Sequence, residues 1–299
     1  MQQEKSQRTP VTIITGYLGS GKTSLLQHIL THTDKKLAVL MNEFGEINID
    51  GKIIKGKNVE MKELAGGCVC CSMTGEFELA VKEILEKVKP EWIIVETTGV
   101  AEPTALAFDI EEGLPEVRID AIVTMVDCDA LSRFPQLGHT GREQIEMADI
   151  VLLNKIDLVD YEQVAAAEAQ VRKLNPRTII AKSIKGRVPP GFLFGTRKED
   201  VKVEKHGTHQ IETEVFTYES DSIFDREKFQ VFVGHLPEAV YRVKGFVRFE
   251  DAGFLFNLVA GRSDFDPSDA EKTELVFIGK DILKLEKEIK ERLDMCKVK

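Results

Sequence analysis

Thr12-Ile-Ile-Thr-Gly16-Tyr-Leu-Gly-Ser-Gly21-Lys-Thr-Ser-Leu-Leu26 is the stretch whose reading decides the fold. The apolar run Val11 to Ile14 has the look of a buried strand, the chain breaks at Gly16, and a helical pattern resumes from Thr23 through Leu30. Between them stands G-x-x-x-x-G-K-T, with Gly16, Gly21, Lys22 and Thr23 in register. Glycines admit backbone angles that a Cβ would forbid, so consecutive N–H groups can point at phosphate oxygens. The following helix adds its positive N-terminal end. In such a loop Lys22 reaches the β- and γ-phosphates and the Thr23 hydroxyl ligates Mg²⁺.

Working outward, apolar strands alternate with helical segments. Strands are expected at Lys36–Met41, Glu91–Glu96, Ile119–Val126, Ile150–Leu153 and Thr178–Ala181, with short extended pieces between Lys52 and Glu63. Helices are expected at Glu76–Val88, ending at Glu143–Ala148, and at Gln163–Leu174. Alternation of this kind means α/β architecture, a mainly parallel sheet covered on both faces. Ligands then gather at the carboxyl ends of the strands, which is where the polar motifs fall. The expected organisation is a tail over 1–10, a P-loop NTPase domain over 11–184, a linker over 185–209 and a small α+β domain over 210–299. In the last, strands are expected at Thr213–Tyr218, Val240–Glu250, Phe254–Ala260 and Leu275–Ile278. Helices should occupy Arg226–Leu236 and Asp281–Met295, with Asp281 near the cap of the second.

Three constellations carry chemistry. Asn154-Lys155-Ile156-Asp157 follows a buried strand. The Asp157 carboxylate can accept hydrogen bonds from the N1–H and exocyclic amine of guanine, a pairing that adenine lacks, so GTP is the expected ligand. Trp92-Ile-Ile-Val-Glu96-Thr-Thr-Gly99 places a carboxylate and then a glycine at a strand end. Glu96 can hold Mg²⁺ directly or through water, and the Gly99 N–H can meet the γ-phosphate. Cys68-Val-Cys70-Cys71 gathers three of the chain's five cysteines within four residues. Reduced thiolates are soft ligands for Zn²⁺, Co²⁺ or Cu⁺, and three of them leave one tetrahedral position open, which suits transfer better than structure; the alternatives are a redox dithiol or buried apolar cysteines.

In the order GYLGSGKTSLL, NEFGEINID, GGCVCC, ETTGVAEP and LLNKIDL, these segments resemble the CobW-like P-loop GTPases, a family of metal chaperones and insertases. The second domain is similar to that family's C-terminal domain through LPEAVYRVKGFV and NLVAGR, so the resemblance covers nearly the whole chain. It implies GTP·Mg²⁺ bound by Gly19, Ser20, Gly21, Lys22, Thr23, Ser24, Asn154, Lys155 and Asp157. It further implies a delivered metal (zinc foremost, cobalt as the alternative) held by Cys68, Cys70 and Cys71. Glu43 and Glu46 lie in a segment that resembles a switch loop, where either can give an oxygen to Mg²⁺ or to the transferred metal. Two features of some family members are missing, a His-rich stretch beyond His206 and His209 and an N-terminal docking motif, so the sequence does not name the client protein.

The remaining chemistry is weaker. His28 and His32 stand four apart on the first helix with no carboxylate between them, the mark of ordinary surface or interface residues. Asp127 is either a switch contact or a strand cap, and Cys128 and Cys296 are expected to be structural. No in-line base or arginine finger is evident, so turnover should be slow, with a client or a second subunit of a homo-oligomer supplying what is missing. A net charge of −10 over 299 residues argues against nucleic acid as a partner. No apolar run approaches a membrane span, no signal peptide is visible, and cytoplasmic residence is expected. Competing readings are a small-molecule kinase, a GTP-gated adaptor without hydrolysis, and a zinc-dependent hydrolase. Asn154 to Asp157 speaks against the first and the surplus charge of three thiolates against the last.

Overall fold

Val11, Ile13 and Ile14 are wholly buried, and the strand they form, β1 (Thr9–Gly16), lies at the centre of a seven-stranded sheet. The computed structural model describes residues 8–41, 59–63, 75–189, 192–193, 214–259, 262–279 and 281–298. These fall into two compact units, Arg8–Val188 and a second within Pro189–Lys299.

In the first unit β2 (Leu37–Met41), β3 (Val59–Glu63), β4 (Trp92–Glu96), β5 (Val117–Asp127), β6 (Ile150–Asn154) and β7 (Ile179–Lys182) join β1 in the order β3-β2-β4-β1-β5-β6-β7. Every pairing is parallel. Runs such as WIIVE and IVLLN are buried at every position because helices cover both sheet faces. Phe77, Val81 and Ile84 of the helix Glu76–Lys87, with Leu106 and Ile110 of Pro103–Gly113, pack on Val11, Ile13, Ile93 and Val95. A separate apolar cluster joins Cys128, Leu131, Ile145 and Val171 to Val151 and Leu153. The chain leaves β1 for β2 and β3 on one side, returns through β4 beside β1, and continues to β5, β6 and β7 on the other, so a crevice opens at the carboxyl end of β1.

The structure departs from the sequence pattern at identifiable places. Strand β5 begins earlier than expected, at Val117, because Arg118 and Asp120 break the apolar run yet pair with each other at 3.2 Å inside it. Two helices lacked a legible period, Pro103–Gly113 and the short Cys128–Arg133, which Asp127 caps by accepting the Ala130 N–H at 3.1 Å.

The second unit is an antiparallel sheet, ordered β11-β10-β9-β12-β8, with the helices Arg226–Gly234 and Glu286–Asp294. Its strands are β8 (Glu214–Ser220), β9 (Val240–Arg248), β10 (Gly253–Val259), β11 (Arg262–Ser268) and β12 (Thr273–Gly279). The core is aromatic, with Phe229 meeting the rings of Phe224, Phe249, Phe256 and Phe265. Strand β11, reading RSDFDPS, escaped the sequence pattern because an edge strand tolerates polar residues and proline. Asp281 does not cap the last helix: its φ of +55° puts it in the left-handed region, a single 3₁₀ turn follows, and the α-helix starts at Glu286. Among the described residues no helix is long and apolar enough to cross a membrane.

Candidate functional site

Strand β1 stops at Gly16, and the helix α1 (Lys22–His32) begins directly after Gly21, whose φ of +107° is open only to glycine. A Cβ there would also press into the amide nitrogen of Asn154. No side chain caps α1, so the N–H groups of its first turn are left to a ligand. Lys22 folds back over the loop, its ammonium donating to the carbonyls of Gly16 at 2.9 Å and Tyr17 at 3.4 Å. The Ser20 hydroxyl is buried and has no hydrogen-bond partner among the described residues. A cradle with amides that no side chain caps, an ammonium and an unclaimed hydroxyl suits phosphate oxygens.

Glu96 ends β4 in register with Ile14, and its Oε1 accepts the Thr23 hydroxyl at 3.2 Å. Two oxygens bound to one Mg²⁺ at 2.0–2.1 Å stand about 2.9 Å apart along an octahedral edge. The Thr23–Glu96 pair therefore fits that ion with little adjustment. Beyond Glu96, Thr97 donates its N–H to the Ile14 carbonyl at 3.0 Å and knits the strand exit to β1. Gly99 then lies against the phosphate loop, where a Cβ would sit 2.5 Å from the Leu18 nitrogen. The Gly99 and Ala101 carbonyls are held by the buried Gln144 side chain, at 3.3 and 3.0 Å.

Asn154 is a clamp. Its Nδ2 donates to the Ser20 carbonyl at 2.8 Å, while its Oδ1 accepts the Ser183 hydroxyl at 3.1 Å and the Gly186 N–H at 3.0 Å. One buried amide thus ties the phosphate loop to the turn after β7. Lys155 takes a left-handed φ of +59°, and its ammonium pairs with Asp127 at 2.6 Å. Asp127, the neighbour of Asn154 across β5 and β6, thus acts as helix cap and counter-ion together. Asp157 lies exposed in the next 3₁₀ turn, within no ion pair among the described residues, which leaves its carboxylate open to a base edge.

The structure thus brings Gly16, Gly19, Ser20, Gly21, Lys22, Thr23, Ser24, Glu96, Gly99, Asn154, Lys155 and Asp157 to the carboxyl edge of one sheet. Glu43, Glu46, Cys68, Cys70 and Cys71 lie outside the described residues. The strands that lead to them do not. Met41 and Glu63, the last residues of β2 and β3, share one register row with Glu96. Sequence reasoning missed Gln144, Ser183 and Gly186. Only the last two carried a signal, a serine and a glycine just after a buried strand.

The lesser candidates resolve simply. The His28 and His32 rings lie tilted by 33° with centroids 4.2 Å apart, and His28 Nε2 hydrogen-bonds the Val188 carbonyl at 2.9 Å. Burial, and then the neighbouring His32, hold the His28 pKa below the ordinary imidazole value. Burial pushes the Cys128 thiol up to about 12 and raises that of Cys296, so neither supplies a thiolate at neutral pH.

Residues 10–182 match the family model described as CobW/HypB/UreG, nucleotide-binding domain, and residues 213–297 that of the cobalamin synthesis protein cobW C-terminal domain. A zinc chaperone CobW of Pseudomonas aeruginosa is 32% identical over 68% of this chain and 64% of its own length. A zinc-regulated GTPase metalloprotein activator 1 of Dictyostelium discoideum is 29% identical over 74% of this chain and 58% of its own. The chain thus spans less than two thirds of the length of either relative. The Zn(II)-bound YjiA GTPase of Escherichia coli has the same fold, with a TM-score of 0.50 at 22% identity over 97% of this chain and 99% of that one.

Proposed function

The chain belongs to the CobW/HypB/UreG nucleotide-binding family and carries a CobW C-terminal domain, and from that premise we propose that it is a GTP-hydrolysing metal chaperone whose nucleotide state governs a zinc site. The observation that carries this reading is the row of strand ends. Glu96, hydrogen-bonded to Thr23 at the foot of the phosphate loop, stands in register with Met41 and Glu63. Neighbouring strands are about 4.8 Å apart, so Glu63 is about 10 Å from Glu96. Cys68 follows Glu63 by five residues, a reach of at most about 17 Å, which allows thiolates and phosphates to be neighbours.

In this reading Lys22 and the amides of α1 hold the phosphates, and Asp157 selects guanine by accepting two of its hydrogen bonds. Thr23 and Glu96 would hold Mg²⁺, whose charge would offset the negative charge that develops on the phosphates. Cys68, Cys70 and Cys71 bind the cargo, Zn²⁺ in keeping with the names of the relatives or Co²⁺ by the chemistry of thiolates. Glu43 or Glu46 supplies a further oxygen. Loss of the γ-phosphate frees the segments that follow β2 and β3 and releases the metal to a client protein.

The test measures GTP and ATP hydrolysis together with zinc affinity in the GDP state and in the state bound to a non-hydrolysable GTP analogue. Zinc should bind at least about tenfold tighter with the analogue, a coupling of about 1.4 kcal/mol. Equal affinity in the two states would refute the coupling, and a preference for ATP would refute the guanine assignment.

A further inference from the structure

Away from the cysteines, two carboxylates and an imidazole converge where the turn after β4 meets a helix. Glu102 immediately precedes the helix Pro103–Gly113, yet its side chain makes no capping bond. Its Oε1 lies 3.6 Å from the Nδ1 of His139, the first residue of the helix His139–Glu146. Glu143, one helical turn beyond His139 on the same face, brings a carboxylate oxygen so that all three ligand atoms lie within 4.8 Å of one another. Thr104 donates its hydroxyl to Glu143 and orients that carboxylate.

The arrangement is poor as a structural device. An exposed His–Glu pair contributes little to stability, and here a second carboxylate crowds the same imidazole. The Glu102 and Glu143 carboxylates repel each other across the ring, and a divalent cation held between them turns that repulsion into attraction. Ligands on tetrahedral Zn²⁺ stand about 3.3 Å apart, close to the separation of Glu102 and His139, and small rotations of surface side chains complete the set. One imidazole and two carboxylates leave a fourth position for water, and the ring nitrogen favours Zn²⁺ over Mg²⁺. The hydroxyl of Thr104 supplies the outer hydrogen bond that such ligands usually carry.

We propose that Glu102, His139 and Glu143 form a second, thiolate-free Zn²⁺ site that clips the exit of the turn 98–101 to the helix His139–Glu146. The consequence follows from Gln144. This residue, adjacent to Glu143, already holds the Gly99 and Ala101 carbonyls, and Gly99 abuts the phosphate loop at Leu18. An ion at Glu102 fastens the same turn from its outer side, so zinc bound there stiffens the wall of the phosphate loop. The site is independent of the cysteines and of any cargo transfer.

The test uses the full chain without nucleotide, with Cys68→Ser, Cys70→Ser and Cys71→Ser combined, and Zn²⁺ alone as the probe. Calorimetry should show one equivalent retained, bound at least about tenfold more weakly after His139→Ala or Glu143→Gln. Amide exchange at Val100 to Glu102 should slow on zinc addition in the parent and stay unchanged in His139→Ala. No uptake by the cysteine-free chain overturns the proposal, as does uptake or slowed exchange indifferent to both substitutions. If the triple variant does not fold, His139→Ala in the native chain must bind one zinc fewer than wild type, and equal stoichiometry overturns the site. Failure here leaves the cysteine site untouched, and failure of nucleotide-coupled affinity leaves this one untouched.

Discussion

Replacing Asn154 by alanine separates two roles that an Asn-Lys-x-Asp motif can play, holding the phosphate loop or touching the base. The side chain makes three buried hydrogen bonds, to the Ser20 carbonyl, the Ser183 hydroxyl and the Gly186 N–H. At about 1 kcal/mol net for each, truncation costs about 3 kcal/mol. For a unit of this size that lowers Tm by roughly 6–12 °C, at about 2–4 °C per kcal/mol. Only the Ser20 bond restrains the phosphate loop. Its loss, about 1–1.5 kcal/mol, lets the loop leave the cradle geometry and reduces the binding-competent fraction by at most roughly 5- to 13-fold. The assay that isolates this effect is calorimetric binding of Mg²⁺-tripolyphosphate, a ligand with no base. Affinity for tripolyphosphate and for GTP should fall by the same factor. A variant that melts early yet binds tripolyphosphate as well as the native chain would refute the clamp, and a loss confined to GTP would assign Asn154 to the base instead.

Asp157→Asn replaces an acceptor of two charge-assisted hydrogen bonds, worth about 3 kcal/mol together, so GTP affinity should fall by roughly 100-fold. Xanthosine triphosphate, which carries a carbonyl in place of the guanine amine, should bind the variant better than GTP does. Gly99→Ala sets a Cβ 2.5 Å from the Leu18 nitrogen and 2.9 Å from its Cα, backbone that cannot swing aside. Overpacking of that kind costs about 1–3 kcal/mol, and thermal melting with and without GTP analogue should show both lower stability and a smaller ligand-induced gain. His28 has its pKa lowered by burial, His32 and Arg187 against the opposing Val188 carbonyl, so the unfolded chain protonates first as pH falls. The stability it contributes is present above the unfolded value of 6.5 and is lost as pH drops toward the folded pKa. Melting at about pH 7.5 and about pH 5.5 should therefore show a smaller acid loss for His28→Gln than for wild type.

What the sequence discloses and what it hides divide along one physical line. A phosphate loop must present consecutive amides from consecutive residues, so Gly16 to Thr23 is written in one place and can be read there. The same holds for Glu96 to Gly99 and Asn154 to Asp157, each a strand end followed by a short polar turn. The groups that fix these turns in space come from far along the chain. Gln144 reaches carbonyls 43 and 45 positions earlier, and Asn154 bonds a serine 29 positions and a glycine 32 positions later. A lone glutamine on a mostly polar helix has no period to betray it, and its burial is a tertiary fact. The buried Arg118–Asp120 pair misled in the opposite sense, because two charges in a strand read as its end unless their mutual pairing is known. Within the nucleotide-binding unit, then, the reactive groups are local and the groups that position them are remote. Substitutions in the motifs other than Asn154 should chiefly remove chemistry, while substitutions at Asn154, Gln144, Ser183 or Gly186 should leave the chemistry present and loosen its geometry.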